Sequence, residues 1–183
     1  MPPRLTAPGV RVHASFLAAM AELRAEGRGD PGDGSAVGRD LREYGDRWHD
    51  PAVFAAYTAR LRAAGGETGD DRIPCDHLWY TDGPAYLGGL RLRHRLNDFL
   101  LSHGGHIGYD VRPTARRRGH ATAMLRAALP RARALGLEQV LITCDATNTA
   151  SRKVIEACGG EFEDRRGAKL RFWAPTGETP RLP

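Results

Sequence analysis

The order of predicted helices and strands indicates an α/β protein in which helices flank a mixed β-sheet. Three observations predict this class. Apolar residues at helical spacing dominate the first third of the chain, and alternating or continuous apolar runs follow. A strand–helix–strand unit over 106–144 then requires a parallel pair with a right-handed crossover. Because the strands before and after this unit have hairpin spacing, the sheet is expected to be mixed.

Three helices are predicted in the first third of the chain. The best-marked one has Asp50 as its N-cap and Pro51 in its first turn, and it ends at Gly65-Gly66. Apolar spacing predicts an earlier helix over 11–26. A shorter helix is expected over 39–47, after a loop rich in Gly, Pro and Asp.

The next segments, 75–81 and 85–96, flank a DGP turn signal and are expected to pair antiparallel. In the second strand Arg91, Arg93 and Arg95 alternate with Leu and His residues. Successive side chains of a strand point to opposite faces, so this alternation predicts that the arginines face solvent.

The second half contains a strand that ends before Pro113, a helix beginning near Arg117 or Arg118, and a continuous β-branched strand over 138–145. Pro130 lies inside the helix and is expected to kink it. A further helix over 148–160 and a terminal hairpin complete the predicted core.

The composition excludes several classes of protein. The net charge of +5, from 27 basic and 22 acidic residues, is too mild to require a nucleic-acid partner. Three widely spaced cysteines suggest neither a disulfide framework nor a metal site. No apolar run approaches the roughly 18 residues of a membrane span. These features predict a cytoplasmic protein without membrane contact.

The stretch YDVRPTARRRGHATAML, residues 109–125, contains the main candidate site. Three consecutive arginines and a glycine stand where a strand feeds a helix. A helix N-terminus presents unpaired N–H groups and a partial positive charge, which suit an anion. Gly119 allows close backbone approach, so we expect a diphosphate there. On this reasoning Gly119→Glu would block the ligand while suiting the helix start.

Arg116-x-x-Gly119-x-Ala121 resembles the Q/R-x-x-G-x-G/A motif of the GNAT acetyltransferase superfamily. The strand before it and DATNTASRKVIEACGG after it resemble the flanking segments of that family. The resemblance implies a GNAT-like acyl-CoA N-acyltransferase fold and acetyl-CoA as co-substrate, without a metal. It implies transfer of an acetyl group to an amine, small-molecule or peptide, by direct attack on the thioester.

The resemblance also implies a set of binding residues. Backbone groups of 109–111 would polarise the thioester, backbone N–H groups of 117–122 would hold the diphosphate, and residues of the following helix would face the pantetheine and thiol. The implied cofactor-binding residues are Tyr109, Asp110, Val111, Arg116, Arg117, Arg118, Gly119, His120, Ala121, Thr122, Asn148, Ser151 and Lys153.

The catalytic residues are less well defined. Many family members have a tyrosine near the departing sulfur at the position that Ile155 occupies here. Water or Ser151 could protonate the thiolate instead, and Tyr109, on the same strand as His106, is a further candidate base. His106 is the best candidate base because histidine titrates near neutral pH, although a structural role for it is an equal alternative.

The length of 183 residues predicts a single domain, which we place over 1–173. Residues 1–75 would shape the acceptor side, 76–173 would bind acetyl-CoA, and 174–183 would be a disordered tail. Two other functions stay open: a non-catalytic acyl-CoA sensor and, less favoured, a basic nucleic-acid-binding module. A homodimer stays open as well.

Overall fold

Seven strands form one mixed sheet in this computed structural model, which describes residues 2–66 and 73–177. Across the sheet their order is β1-β2-β3-β4-β5-β7-β6. Of the neighbouring pairs, β4 and β5 run parallel and the others antiparallel, as the predicted crossover requires. The strands are β1 (Arg4–Thr6), β2 (Cys75–Asp82), β3 (Ala85–Arg93), β4 (Ile107–Val111), β5 (Gln139–Asp145), β6 (Glu161–Arg166) and β7 (Lys169–Pro175).

Helices cover both faces of this sheet. Among the described residues none of them is long and apolar enough to cross a membrane. Short 3-10 or π turns lie at Val10–Val12, Gly45–His49, Ala64–Gly66, Leu100–Gly104 and Pro113–Ala115. The α-helices are α1 (His13–Ala25), α2 (Ala36–Glu43), α3 (Pro51–Ala63), α4 (His120–Ala134) and α5 (Thr149–Glu156).

Capping side chains set where the helices begin. Asp50 accepts a hydrogen bond from the Ala52 N–H and starts α3 as predicted. Ser35 accepts from the Gly38 N–H, so α2 begins before the predicted residue 39. Helix α4 continues through Pro130 as one element.

Two hydrophobic clusters place the sheet between two helical layers. On one face Met124 and Leu125 of α4 and Ile155 of α5 pack against the strands. On the other face α1, α2 and α3 form an aromatic cluster that includes Trp79 of β2. The N-terminal helices therefore lie against the sheet opposite α4.

The two ends of the folded core differ slightly from the prediction. Strand β1, which pairs with β2 at one edge of the sheet, was not expected from the sequence. Strand β7 continues through Pro175, and the hydroxyl of buried Thr176 donates to Leu137 and Glu138 carbonyls. Residues 178–183, most of the tail predicted over 174–183, lie outside the described residues.

Candidate acetyl-CoA and acceptor cleft

The site begins where β4 and β5 separate. These parallel strands are in register at a single pair, Ile107 with Ile142. Residues 109–111 stay paired with β3 on their other side. The separation opens a gap in the sheet, with Tyr109 and Val111 at its edge.

A cavity of about 1050 Å³ occupies this gap and extends toward the N-terminal helices. The strand end, the loop before α4 and the start of α5 form one side of the cavity. The end of α1 and the following loop form the other side. The lining includes most of the predicted binding residues: Tyr109, Asp110, Val111, Arg116, Arg117, Gly119, His120, Ala121, Thr122, Asn148 and Ser151. Arg118 and Lys153 are exposed and do not line it.

The loop before α4 has an unusual backbone. Arg117 and Gly119 both have left-handed conformations, with φ of 61° and 78°. Gly119 is the N-cap of α4, and a Cβ on it would meet no atom of the described residues within 4 Å. Such a turn directs successive N–H groups into one concavity, which is how a backbone binds phosphate. These residues fit a diphosphate.

The expectation that Gly119→Glu would suit the helix is therefore wrong. Gly119 lies just outside α4 in the left-handed region, where a side chain is strained. Glycine at this position therefore permits the left-handed turn and leaves space beside the backbone.

Arg116 does not present a free charge to this cavity. Its Nη1 and Nη2 donate to Glu26 at 2.8 and 2.7 Å, and its Nε donates to the Val111 carbonyl at 3.2 Å. A guanidinium held in this way fixes the loop to α1. The positive charge available at the loop comes from Arg117 and the helix terminus.

Tyr109 and Ser151 meet at the inner end of the cavity. The Tyr109 hydroxyl lies 2.9 Å from the Ser151 Oγ. Burial raises the pKa of Tyr109 to about 12, so the phenol stays protonated at neutral pH. Asn148 caps α5 by accepting from the Ser151 N–H, which holds the serine in place. Ile155 is fully buried in the core, away from the cavity.

His106 lies apart from these residues. It is 6% exposed, it does not line the cavity, and its Nδ1 accepts a hydrogen bond from the Leu141 N–H. Burial lowers its pKa to about 4. Its position supports the structural alternative over the catalytic one.

The structure also corrects the prediction for the arginines of β3. Arg91 is not solvent-facing: its guanidinium lies 3.5 Å from a carboxylate oxygen of Asp40 and 3.5 Å from one of Asp110. Sequence reasoning missed this cluster because its members come from α2, β3 and β4. The alternation on β3 was correct, but α2 and α3 cover the face that it was expected to leave open.

A family model described as an acetyltransferase (GNAT) domain matches residues 40–161, more than half of the chain. The protein therefore belongs to the GNAT acetyltransferase family. A comparison with curated proteins gave no match.

Solved structures share the fold at low sequence identity. RimJ from Mycobacterium smegmatis, solved with CoA-disulfide, has a TM-score of 0.66 at 20% identity, covering 99% of this chain and 88% of that one. PaiA N-acetyltransferase from Thermoplasma acidophilum, solved with coenzyme A, has a TM-score of 0.61 at 10% identity, covering 96% and 99%. A putative ribosomal-protein-serine acetyltransferase from Vibrio cholerae has a TM-score of 0.56 at 14% identity, covering 94% and 93%.

Proposed function

We propose that this protein transfers the acetyl group of acetyl-CoA to a primary amine of a small molecule or peptide. The observation that carries the proposal is the cavity of about 1050 Å³ between the separating strands, with the left-handed loop before α4 at its edge. Several structural neighbours were solved with coenzyme A, acetyl-CoA or CoA-disulfide. The acetyl thioester supplies an activated acyl group.

The residues along the gap have distinct tasks in this proposal. N–H groups of 117–122 hold the diphosphate at the start of α4. Backbone N–H groups of 109–111 that β5 does not pair, on the side of the gap, orient the thioester and stabilise negative charge on its carbonyl oxygen; the Val111 carbonyl is occupied by Arg116. The α1 side of the cavity receives the acceptor.

Tyr109 is the proton donor to the departing sulfur. Its hydroxyl lies beside Ser151, and its raised pKa keeps it protonated over the working range of the enzyme. A thiolate, whose free thiol has a pKa of about 8.5, needs only modest help to leave. The phenol thus takes the place of the tyrosine that many family members carry at the position of Ile155.

Titration calorimetry with CoA and acetyl-CoA tests the first half of the proposal, and we expect saturable binding of both. A panel of primary amines, including peptides with free N-termini, tests the second half by thiol release and product mass. No binding at millimolar ligand would refute the proposal. Binding without turnover of any amine would favour the acyl-CoA sensor.

A further inference from the structure

A second, much smaller cavity lies behind the wall of the cleft. Its volume of about 20 Å³ is enough for one water molecule. We call it the polar chamber and define it by four of its lining residues, Asp40, Trp48, Arg91 and Asp110. Asp110 also lines the large cleft, so its carboxylate belongs to the wall between the two cavities.

Trp48, which lines the chamber, also has an unpaired buried donor. This residue is 1% exposed, and its indole Nε1 has no hydrogen-bond partner. Among residues 2–66 and 73–177 it is the one buried side-chain nitrogen or oxygen in this condition. Buried donors are nearly always paired in proteins, so an acceptor is expected next to the indole. A water molecule in the chamber meets that requirement.

The charges around the chamber do not cancel. The Arg91 guanidinium is shared between Asp40 and Asp110, at 3.5 Å from each. One cation therefore faces two carboxylates. Contacts of this length lie at the limit of hydrogen bonding and leave carboxylate lone pairs for other donors. The three side chains are between 16% and 18% exposed, so none is sealed from solvent.

The groups that face Asp110 come from several elements. The Gly89 N–H bonds to its carboxylate, and burial together with the charge of Asp40 raises its pKa, whereas Arg91 and Arg28 lower it. Tyr86 lies beside the same carboxylate, and the Tyr57 hydroxyl donates to Asp40 at 3.0 Å. The net result is a carboxylate whose pKa is raised, which makes it a stronger base than an ordinary aspartate.

We propose that Asp110 accepts the proton that the acceptor's ammonium group must lose, and that a water in the polar chamber passes this proton to Asp40 and out to solvent. The inference rests on the proposed acetyltransferase function. Asp110 is the catalytic residue in it. Asp40, Arg91 and Trp48 are positioning residues that hold the relay.

The reaction balances with one proton released. The ammonium group gives its first proton to the Asp110 carboxylate, and the neutral amine then forms the new C–N bond as the C–S bond breaks. Tyr109 gives its proton to the departing thiolate, which leaves as a thiol, and the second proton leaves the nitrogen to restore the Tyr109 phenol as the amide forms. The relay returns the first proton to solvent, so Asp110 is an anion again for the next turnover.

Carboxyl titration by NMR, with ¹³C-labelled aspartate, tests the relay without any acceptor. We expect the pKa of Asp110 to lie above that of an ordinary aspartate. Asp40→Asn should lower the pKa because it removes a negative neighbour, and Arg91→Gln should raise it because it removes a positive one. An Asp110 that titrates normally and identically in all three proteins would overturn the proposal.

The pH dependence of acetyl transfer gives the second test, with an amine that the screen shows to be acetylated. Asp110→Asn should lower the rate by about 100-fold and remove the acid limb of the profile. Asp40→Asn should move the acid limb to lower pH and lower the plateau several-fold. The control is Asp46→Asn, an exposed carboxylate outside both cavities, and it should match wild type.

Failure of this relay is distinguishable from failure of the acetyltransferase function. A wild-type protein that binds no acetyl-CoA refutes the function. An active wild type whose Asp110→Asn variant keeps both its rate and its pH profile refutes the relay alone. Retained acetyl-CoA affinity in that variant shows that the substitution leaves the fold intact.

Discussion

Gly119 and Gly136 stand just outside the two ends of α4 in nearly the same conformation, with φ of 78° and 84°. A Cβ on either would meet no atom of the described residues within 4 Å. The left-handed region costs a non-glycine residue of order 1 kcal/mol. Glycine therefore has a conformational role at both ends, and only Gly119 lines the cleft.

The two glycines provide a matched pair of variants. Gly119→Glu and Gly136→Glu should both lower the melting temperature, since both impose the same backbone strain, and Gly136→Glu should lower it more because its charge lies at the negative end of the α4 dipole. Only Gly119→Glu places bulk and negative charge where the diphosphate is expected. We predict that CoA raises the melting temperature of wild type and Gly136→Glu but not of Gly119→Glu. Equal ligand-induced shifts in the two variants would show that the phosphate loop is misassigned.

At the scale of elements, α1 holds the loop before α4. Glu22 accepts from Arg112 at 2.6 Å and from the Thr114 N–H and hydroxyl, and these bonds lower the pKa of Glu22. At the C-cap of α1, Glu26 accepts two hydrogen bonds from Arg116. Hydrogen bonds thus attach the loop before α4 to the C-terminal end of α1.

This attachment predicts that removing the Glu26 charge weakens CoA binding, whereas charge alone would predict the opposite. Glu26→Gln removes a negative charge near the diphosphate, which by itself would strengthen CoA binding. The structure predicts several-fold weaker binding. Without the Arg116–Glu26 pair the loop is not ordered beforehand, and the cost of ordering it reduces the free energy of CoA binding.

Calorimetry of CoA binding is the measurement for this prediction. Glu156→Gln is the control, since it breaks another surface Arg–Glu pair of similar exposure outside the cleft. Tighter CoA binding by Glu26→Gln than by Glu156→Gln would contradict the attachment.

At the scale of the whole molecule, two partly or fully buried histidines link stability to pH. Burial lowers the pKa of both His77 and His106 to about 4. An unfolded histidine titrates near 6.5, so between these values the unfolded chain binds more protons than the folded one. Stability is therefore full above about pH 6.5 and is lost as the pH falls toward 4.

His106→Asn isolates one of these contributions, because the asparagine amide oxygen is expected to accept from the Leu141 N–H as the imidazole Nδ1 does. We expect wild type to lose about 2 kcal/mol more unfolding free energy than this variant between pH 7 and pH 5. Urea unfolding at both pH values is the measurement. Replacement of the exposed His49 by Asn serves as the control. If His106→Asn loses as much unfolding free energy as wild type, His106 is not a source of the pH dependence.

The sequence by itself determined the elements whose signals are local. Asp50 and Pro51 start a helix whatever that helix packs against. Gly119 marks the point at which the preceding loop ends and α4 begins. The motif around Gly119 also led to the family and to most residues of the cleft. Helix caps and turns depend on residues only a few positions apart, so they can be predicted from the sequence.

Only the tertiary structure decided which charges and hydroxyls meet. Glu26 and Arg116 are 90 positions apart, and Tyr109 and Ser151 are 42 apart. Arg91 faces two carboxylates because α2 and α3 cover the face of β3 that an isolated strand would leave to water. Such contacts depend on where packing brings distant elements together, and their energies are too small to specify that packing. The same packing buries His106 and places Asp110 at the wall of the cleft.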